Sequence, residues 1–158
     1  MKNELTLKID YDLNYILIAI RTKLEDYQFA YSLNKSPLLL FERLQKDICC
    51  VINQQNIYFS TFEYINPTLQ RTIFLINNRA IYNTKLNSSE GLFRGDEISN
   101  TTFLIPELKE FDYFLKLVGI WKSDEINELK TLLHDMKDVE SETNIELNTI
   151  KSINNLVF

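Results

Sequence analysis

Few residues of this chain have the types and spacing that catalysis requires. The sequence has one histidine, His134, and two cysteines, Cys49 and Cys50, which are adjacent. A cysteine thiolate attacks a substrate when a base activates it, so either cysteine with His134 would make a nucleophilic dyad. Adjacent thiols in an apolar strand are more often buried and inert, however, and His134 lies on a predicted helix. We therefore expect no catalytic residue among the three.

Two carboxylates, Glu107 and Asp112, lie in the turn that precedes a predicted strand. Paired carboxylates hydrolyse glycosides when they flank a cleft the size of a sugar ring, and a sequence does not show such a cleft. Carboxylates at turns also accept hydrogen bonds from nearby backbone amides. We favour this second interpretation, in which both side chains hold the turn together.

The patterns of metal and phosphate sites fail at their diagnostic positions. Asp10, Asp12 and Asn14 copy the opening of an EF-hand loop, but Tyr15 replaces the required glycine and Arg21 the bidentate glutamate. One histidine and a vicinal cysteine pair do not supply the four ligands of a structural zinc site. The sequence also lacks the glycine-rich loops that cradle phosphates. We expect no metal and no cofactor.

Composition indicates one globular domain spanning residues 1–158, with 45% hydrophobic side chains to fill a core. The net charge of −5 is concentrated in residues 122–146, which hold eight acids and three lysines. Because nucleic-acid binding requires a basic stripe, we expect no direct contact with nucleic acid. The first ten residues lack the apolar segment of a signal peptide, and no apolar run approaches the length of a membrane span. We therefore expect a cytoplasmic protein that does not enter a membrane.

Hydrophobic periodicity predicts the elements that would position these side chains. Thr22 is the predicted N-cap of the first helix, with Glu25 completing a capping box, and Ser123 is the predicted N-cap of the second. Residues 83–100 have no periodicity and predict a long irregular loop. The predicted strands are residues 4–9, 14–21, 47–53, 56–64, 69–76, 80–82, 102–105, 112–118 and 139–147, and the predicted helices are residues 23–33 and 124–136.

These elements predict an α+β fold with a mostly antiparallel sheet. Two strand–helix–strand segments flank a β meander, whose turns fall at residues 54–55, 66–67 and 77–78. Asparagine suits such turns because it tolerates positive φ. The arrangement resembles the two halves of a ferredoxin-like plait with extra strands between them. The last strand carries acids that discourage pairing with another sheet, so we expect it at an edge.

One short stretch, residues 105–113, reads IPELKEFDY. It resembles the signature of a small bacterial family named IPExxVDY, with Phe111 standing where the name has Val and one more residue between Glu107 and Asp112 than the name has. The resemblance continues along most of the chain, including the early strand, residues 26–34 and residues 155–158. The matching motif residues are Ile105, Pro106, Glu107, Asp112 and Tyr113.

The resemblance implies a small cytoplasmic protein of Bacteroidota-type bacteria, encoded near ribonuclease III and pyruvate kinase, with a housekeeping role. The family pattern assigns no catalytic residue, so none is carried over to this chain. In physical terms, Pro106 fixes φ and removes a backbone donor, which ends the strand over residues 102–105. We expect the motif to be architectural.

The absence of a catalytic constellation favours a non-catalytic binding or adaptor protein that acts through protein–protein contacts, with ribosomal or RNA-processing machinery as candidate partners. An acidic surface carrying Glu140 and Glu142 would meet a basic partner. The alternative is a small-metabolite-sensing regulatory domain, because plait-like domains bind metabolites between strands and helices. An enzyme that uses Glu107, Asp112 or Cys49 is the third hypothesis.

Overall fold

The computed structural model describes residues 14–85 and 97–158. The predicted strand over residues 4–9 lies outside these ranges. The strands are β1 Tyr15–Thr22, β2 Glu42–Arg43, β3 Ile48–Ile52, β4 Gln55–Phe59, β5 Thr61–Asn66, β6 Arg71–Asn77, β7 Arg79–Lys85, β8 Glu97–Phe103, β9 Tyr113–Val118 and β10 Val139–Ile145. The α-helices are α1 Asp26–Leu33 and α2 Ser123–Asp135, and short 3-10 helices cover Pro106–Leu108, Leu147–Thr149 and Ile153–Leu156.

Six strands form one sheet in the order β10-β1-β9-β6-β5-β2, and all of its neighbouring strands are antiparallel. The predicted α+β class is confirmed. Four of these strands, with α1 after β1 and α2 between β9 and β10, follow the order fourth-first-third-second of a ferredoxin-like plait. β5 and β2 extend the sheet beyond β6. Two separate ribbons, β3–β4 and β7–β8, complete the described strands.

Both faces of the sheet are covered, and each face has its own core. Apolar residues alternate along the inner strands, so that successive side chains enter opposite cores. The helix-side core includes Ile18, Ile20, Ile73, Leu75, Leu115 and Leu117 from the sheet, with Phe29, Leu33, Leu129 and Leu133 from the helices. The opposite-side core includes Leu17, Ala19, Ile76 and Phe114 from the sheet. It is completed by residues of β4, of the segment after β8 and of the chain's end, namely Ile57, Phe59, Leu104, Ile105, Ile150 and Leu156.

Helix α1 begins three residues later than the sequence predicts. Thr22 is not its N-cap but the last residue of β1, where the backbone N–H and the hydroxyl both have distant partners. The N-cap is Glu25, which shares a reciprocal capping box with Gln28. Long-range hydrogen bonds therefore outweigh the local capping preference of Thr22. At the second helix, Ser123 is the first helical residue and Lys122 the N-cap.

The predicted strand over residues 56–64 is divided at Ser60. β4 pairs with β3 in a ribbon, whereas β5 belongs to the large sheet. The hairpin turn between β3 and β4 lies one residue earlier than predicted, at Asn53 and Gln54, whose φ angles are 49° and 64°. The sequence pattern does not reveal such a division, because apolar residues recur on both sides of Ser60 without a glycine, proline or asparagine there to mark a turn.

The predicted loop over residues 83–100 is wrong at both ends. Residues 83–85 continue β7 and residues 97–100 begin β8, in a ribbon paired from Arg79↔Phe103 to Lys85↔Glu97. The predicted meander is also interrupted there, because β7 pairs with β8 and not with β6. By contrast, the predicted apolar stripe of α2 and the edge position of β10 are confirmed.

Candidate functional site

The predicted motif residues meet in one corner of the fold, which we call the motif corner (residues 104–113 with Asn78). Asn78 is fully buried. Its side-chain amide donates to the carbonyls of Leu108, at 3.0 Å, and Phe111, at 2.9 Å, and its Oδ1 accepts from the N–H of Ile105 at 2.9 Å. Its backbone N–H donates to the carbonyl of Asp112 at 2.8 Å. One asparagine thus closes the loop that carries the motif.

Asp112 and Tyr113 connect the motif corner to the segment between β1 and α1. Asp112 Oδ2 accepts from the backbone N–H of Thr22 at 2.9 Å. The Tyr113 hydroxyl donates to the carbonyl of Leu24 at 2.8 Å, and its ring lies 5.1 Å from that of Phe29, centroid to centroid. Burial raises the pKa of Tyr113, so the hydroxyl stays protonated and remains a donor. Both side chains fix how the chain leaves the sheet and enters α1.

Glu107 connects the motif corner to the end of the chain. Its Oε1 accepts from the backbone N–H of Ser152, at 2.9 Å, and from the Ser152 hydroxyl, at 3.1 Å. Desolvation opposes the charge on Glu107, but hydrogen bonds from its own amide and from Ser152 outweigh it, so its pKa lies below the ordinary value. Pro106 starts the 3-10 helix, and Ile105 is fully buried in the opposite-side core.

The motif corner is therefore a packing junction in which the motif's polar groups have partners. Glu107 and Asp112 accept hydrogen bonds from backbone amides, as predicted, but the donors Ser152 and Thr22 lie far away in the sequence, and Asn78, not the two carboxylates, closes the turn. The sequence does not identify Asn78 as its centre, because an Asn-Asn pair between two strands is typical of a turn. Asn78 is absent from the residues with positive φ, so its side chain, and not its backbone freedom, explains its presence.

The structure does not bring the cysteines and the histidine together. Cys50 lies in β3 and contacts the opposite-side core, whereas His134 lies on α2, which packs on the other face of the sheet. Burial, with the neighbouring Cys49, raises the pKa of the Cys50 thiol, which disfavours the thiolate. In the described part of the chain, no group of three histidine, cysteine or acidic side chains is placed to hold a metal ion.

The two acids of the predicted interaction surface are engaged within the chain. Glu140 forms salt bridges with Arg21, at 3.1 Å, and Lys23, at 3.5 Å. The side chain of Glu142 is only 17% exposed and lies 3.9 Å from His134 Nδ1. Arg21 and Lys23 therefore offset the negative charge of Glu140, one of the acids that the sequence places on β10.

Lys116 is a buried cation on the opposite-side face of β9. Its amino group donates to the carbonyl of Leu156 at 2.6 Å and lies 4.2 Å from the ring centroid of Phe158 and 4.8 Å from that of Tyr15. Burial lowers the pKa of Lys116. Cation–π contacts and one hydrogen bond hold the lysine in place, and it in turn fixes the chain's last residues on the sheet.

A pocket lies on the helix side of the sheet, between the segment that follows α1 and one side of α2. We call it the helix-side pocket, and its cavity measures about 270 Å³. It is mainly apolar, which is typical of sites for apolar side chains or small molecules. Its lining residues are Ser36, Leu38, Leu39, Tyr64, Asn66, Leu69, Arg71, Ile73, Trp121, Glu125, Glu128, Leu129 and Leu132.

The buried cation in the wall of the helix-side pocket, Arg71, is neutralised within the chain. The side chain of Arg71 is only 10% exposed and pairs with Glu125 at 2.8 Å. That hydrogen bond lowers the pKa of Glu125, so the carboxylate stays ionised. The Arg71 guanidinium also stacks 4.7 Å from the ring centroid of Trp121, whose indole N–H donates to the carbonyl of Val118 at 3.2 Å. The wall is thus rigid, with tryptophan and arginine, two residue types enriched in protein-binding hot spots.

Two exposed leucines lie at the mouth of the helix-side pocket. Leu38 is 70% exposed and Leu69 is 52% exposed, although both line the cavity. Leu40 and Ile65, close by on the other face of the sheet, are 62% and 56% exposed. Single exposed apolar side chains are common on proteins, but two at the mouth of a concave apolar site, with a second exposed pair across the sheet, indicate a binding surface.

Comparisons with models of protein families, with curated proteins and with solved structures give no match to this chain. No helix within residues 14–85 and 97–158 combines the length and apolar character that crossing a membrane requires. The motif corner and the helix-side pocket are therefore the features of the structure that bear on function.

Proposed function

We propose that this protein is a non-catalytic binding domain that docks a protein partner through the helix-side pocket. The observation that carries the proposal is the pocket itself, a concave apolar site walled by Trp121 and Arg71 and rimmed by the exposed Leu38 and Leu69. A partner that places an apolar side chain there would remove these leucines from water, which is the main driving force of association. Ribosomal and RNA-processing proteins remain the candidate partners.

The chemistry of the pocket supports binding in preference to catalysis. Its one cation, Arg71, is held by Glu125 and by the Trp121 ring. A general base or nucleophile should be free to reach a substrate, and a paired arginine–glutamate group supplies neither. Glu128, at the rim, is the other carboxylate of the lining, and among the described residues no histidine, cysteine or lysine lines the cavity to act with it. The resemblance to the IPExxVDY family fits this proposal as well, because the polar motif side chains Glu107, Asp112 and Tyr113 form hydrogen bonds to other parts of the chain.

The pocket supports a second candidate function, the sensing of a small apolar molecule. Its volume of about 270 Å³ lies near the lower end of the range for small-ligand sites. A ligand that binds only the folded protein raises its unfolding temperature, so a thermal-shift screen with central metabolites tests this candidate. Stabilisation that Leu129→Ala abolishes would favour the sensor over the adaptor.

The test of the adaptor proposal is recovery of the tagged protein from its host lysate, with and without ribonuclease, followed by mass spectrometry. We compare the wild type with Leu38→Ser/Leu69→Ser, which alters only exposed side chains of the pocket mouth. The matched comparison is Glu140→Lys/Glu142→Lys, on the acidic surface that the sequence predicts.

Loss of one stoichiometric protein in the leucine variant, with retention in the charge-reversal variant, is the expected result. Retention in the leucine variant with loss in the charge-reversal variant would place the binding surface on β10 and refute docking at the pocket. A partner that ribonuclease releases would lie on an RNA-containing assembly.

A further inference from the structure

The large sheet has a free edge next to the helix-side pocket. β2 pairs with β5 at only two positions, Glu42↔Glu63 and Arg43↔Phe62. β5 continues to Asn66, and β6 accompanies it there on the other side. The last three residues of β5 therefore have no strand partner on their outer edge among the described residues.

The backbone of Ile65 presents its polar groups to this free edge. The carbonyl of Thr61 faces β2, because it accepts a hydrogen bond from the N–H of Leu44. In an antiparallel strand the backbone groups of alternate residues point the same way, so those of Glu63 and Ile65 also face outward. Leu40 would be the next residue in register, but it leaves the ladder, and the two side chains flank a groove of about 180 Å³.

Two carboxylates face each other across the short ladder. Glu42 and Glu63 are directly opposite, so their side chains emerge on the same face, and both line that groove. Like charges in this position destabilise a sheet. Neither forms a salt bridge to a lysine or arginine within residues 14–85 and 97–158.

The nearest cation in the sequence is directed away from this acidic pair. Arg43 lies on the other face of the sheet, over the ring of Phe62 at 5.1 Å. Its guanidinium pairs with Asp47, at 2.6 Å, and with Asp26, at 3.3 Å. A third acid without a salt bridge in the described structure, Glu128, is exposed at the rim of the helix-side pocket.

From these observations we propose that the occupant of this surface is an extended partner segment of alternating apolar and basic residues, which adds to the free edge of β5. This inference rests on the proposed function. Successive side chains of a strand point to opposite faces. One set would enter the helix-side pocket, and the other would place lysine or arginine beside Glu42 and Glu63. Main-chain hydrogen bonds to Ile65 would supply affinity, as in other cases of strand addition.

The test is selection of ligands from a phage-displayed library of random 12-residue peptides against the full chain. The expected peptides alternate apolar residues with lysine or arginine. Their affinity is measured through the fluorescence of Trp121, the single tryptophan of the chain, which lies in the pocket wall. Raising the salt concentration should weaken binding, because ion pairs at a surface are screened.

Two pairs of variants locate the peptide. Glu42→Gln/Glu63→Gln should lower affinity at least tenfold, whereas Glu110→Gln/Glu146→Gln, with the same change in net charge elsewhere, should not. Ile65→Pro removes the outward N–H and leaves the pairing of β5 with β6 intact, because proline is tolerated at edge positions. It should abolish binding, whereas Ile65→Ala, which keeps the N–H, should lower affinity only severalfold.

Each alternative outcome has a distinct meaning. Peptides without basic residues, bound at the pocket and unaffected by the glutamine variants, would overturn the inference and leave the proposed function standing. A failure to select any peptide whose binding depends on Leu38 would overturn both. Self-association in sedimentation that Leu38→Ser abolishes would assign the surface to a second copy of this chain and also overturn the inference.

Discussion

The motif corner and the helix-side pocket lie in one chain but satisfy their polar and apolar groups in opposite ways. In the motif corner, Asn78, Asp112 and Glu107 all have hydrogen-bond partners within the chain. Beside the pocket, Glu42 and Glu63 face each other without a cation in the described structure, and Leu38 is 70% exposed. A region that satisfies its own groups stabilises the fold, and a region that does not is available for a partner. Substitutions in the motif corner should therefore lower stability, whereas substitutions at the pocket should weaken binding.

The largest expected effect is that of Asn78→Ala in the motif corner. It leaves the carbonyl of Phe111 and the N–H of Ile105 without partners, at a cost of about 1–3 kcal/mol each, and removes one of the two hydrogen bonds to the Leu108 carbonyl, so the free energy of unfolding should fall by about 4 kcal/mol. Denaturant unfolding measures it. The adjacent Asn77→Ala is the control, since Asn77 accepts only one exposed hydrogen bond, from Arg79. Equal losses in both variants would contradict the role of Asn78.

A smaller loss of stability should follow Asp112→Ala. The substitution removes a charged acceptor from the N–H of Thr22, and hydrogen bonds to charged groups contribute about 1.5–3 kcal/mol. The free energy of unfolding should fall by about 2 kcal/mol, with the affinity of the folded protein for its pocket ligand unchanged. A variant of full stability that loses its ligand would mean that the motif corner is itself a binding site.

In the helix-side pocket, Leu38→Ser should weaken binding and leave the stability of the fold nearly unchanged. Leu38 is exposed, and a surface substitution changes the free energy of unfolding by less than about 0.5 kcal/mol. Loss of its buried area in the complex should weaken binding about tenfold, or about 1.4 kcal/mol. Calorimetry of the selected peptide measures the affinity, and thermal unfolding measures the stability. Unchanged affinity would exclude Leu38 from the interface.

The smallest expected effect is a change in how the stability of the fold depends on pH when Glu107 is replaced. Its pKa is lower in the folded chain than the ordinary value of 4.5, so its contribution to stability is complete above pH 4.5 and is lost as the pH falls toward the folded pKa. Glu107→Gln should reduce the slope of stability against pH in this window. Urea unfolding at several pH values below 5 provides the measurement, and identical slopes in both proteins would refute the assignment.

The sequence predicts the parts of this fold whose signals are local. The apolar run of β1, the amphipathic stripe of α2 and the acidic edge strand β10 all follow from periodicity and charge. The division at Ser60 and the ribbon formed by residues 79–85 and 97–103 do not, because strand pairing depends on distant partners. Most residues of the motif corner are consecutive in the sequence, but its centre, Asn78, lies 27 residues from Ile105.

The candidate site was harder to predict than the fold. The residues of the helix-side pocket come from the loop after α1, from β5 and β6, and from α2. None of these segments has a chemical motif of its own. In the sequence, the exposed leucines cannot be distinguished from core residues, because only the structure shows their burial. The acidic surface predicted at Glu140 and Glu142 has a strong sequence signal, but the cations that offset it, Arg21 and Lys23, lie far away in the sequence.

The most direct test of the account is Glu63→Gln, measured for both stability and binding in one preparation. Removing one of two opposed carboxylates should raise the free energy of unfolding by about 0.2–1 kcal/mol, because it relieves a like-charge pair. The same substitution should weaken binding of the selected basic peptide several-fold. A stabilised protein with weaker binding is the predicted result. A destabilised protein that binds the peptide as tightly as the wild type would show that Glu63 serves the fold and would contradict the account.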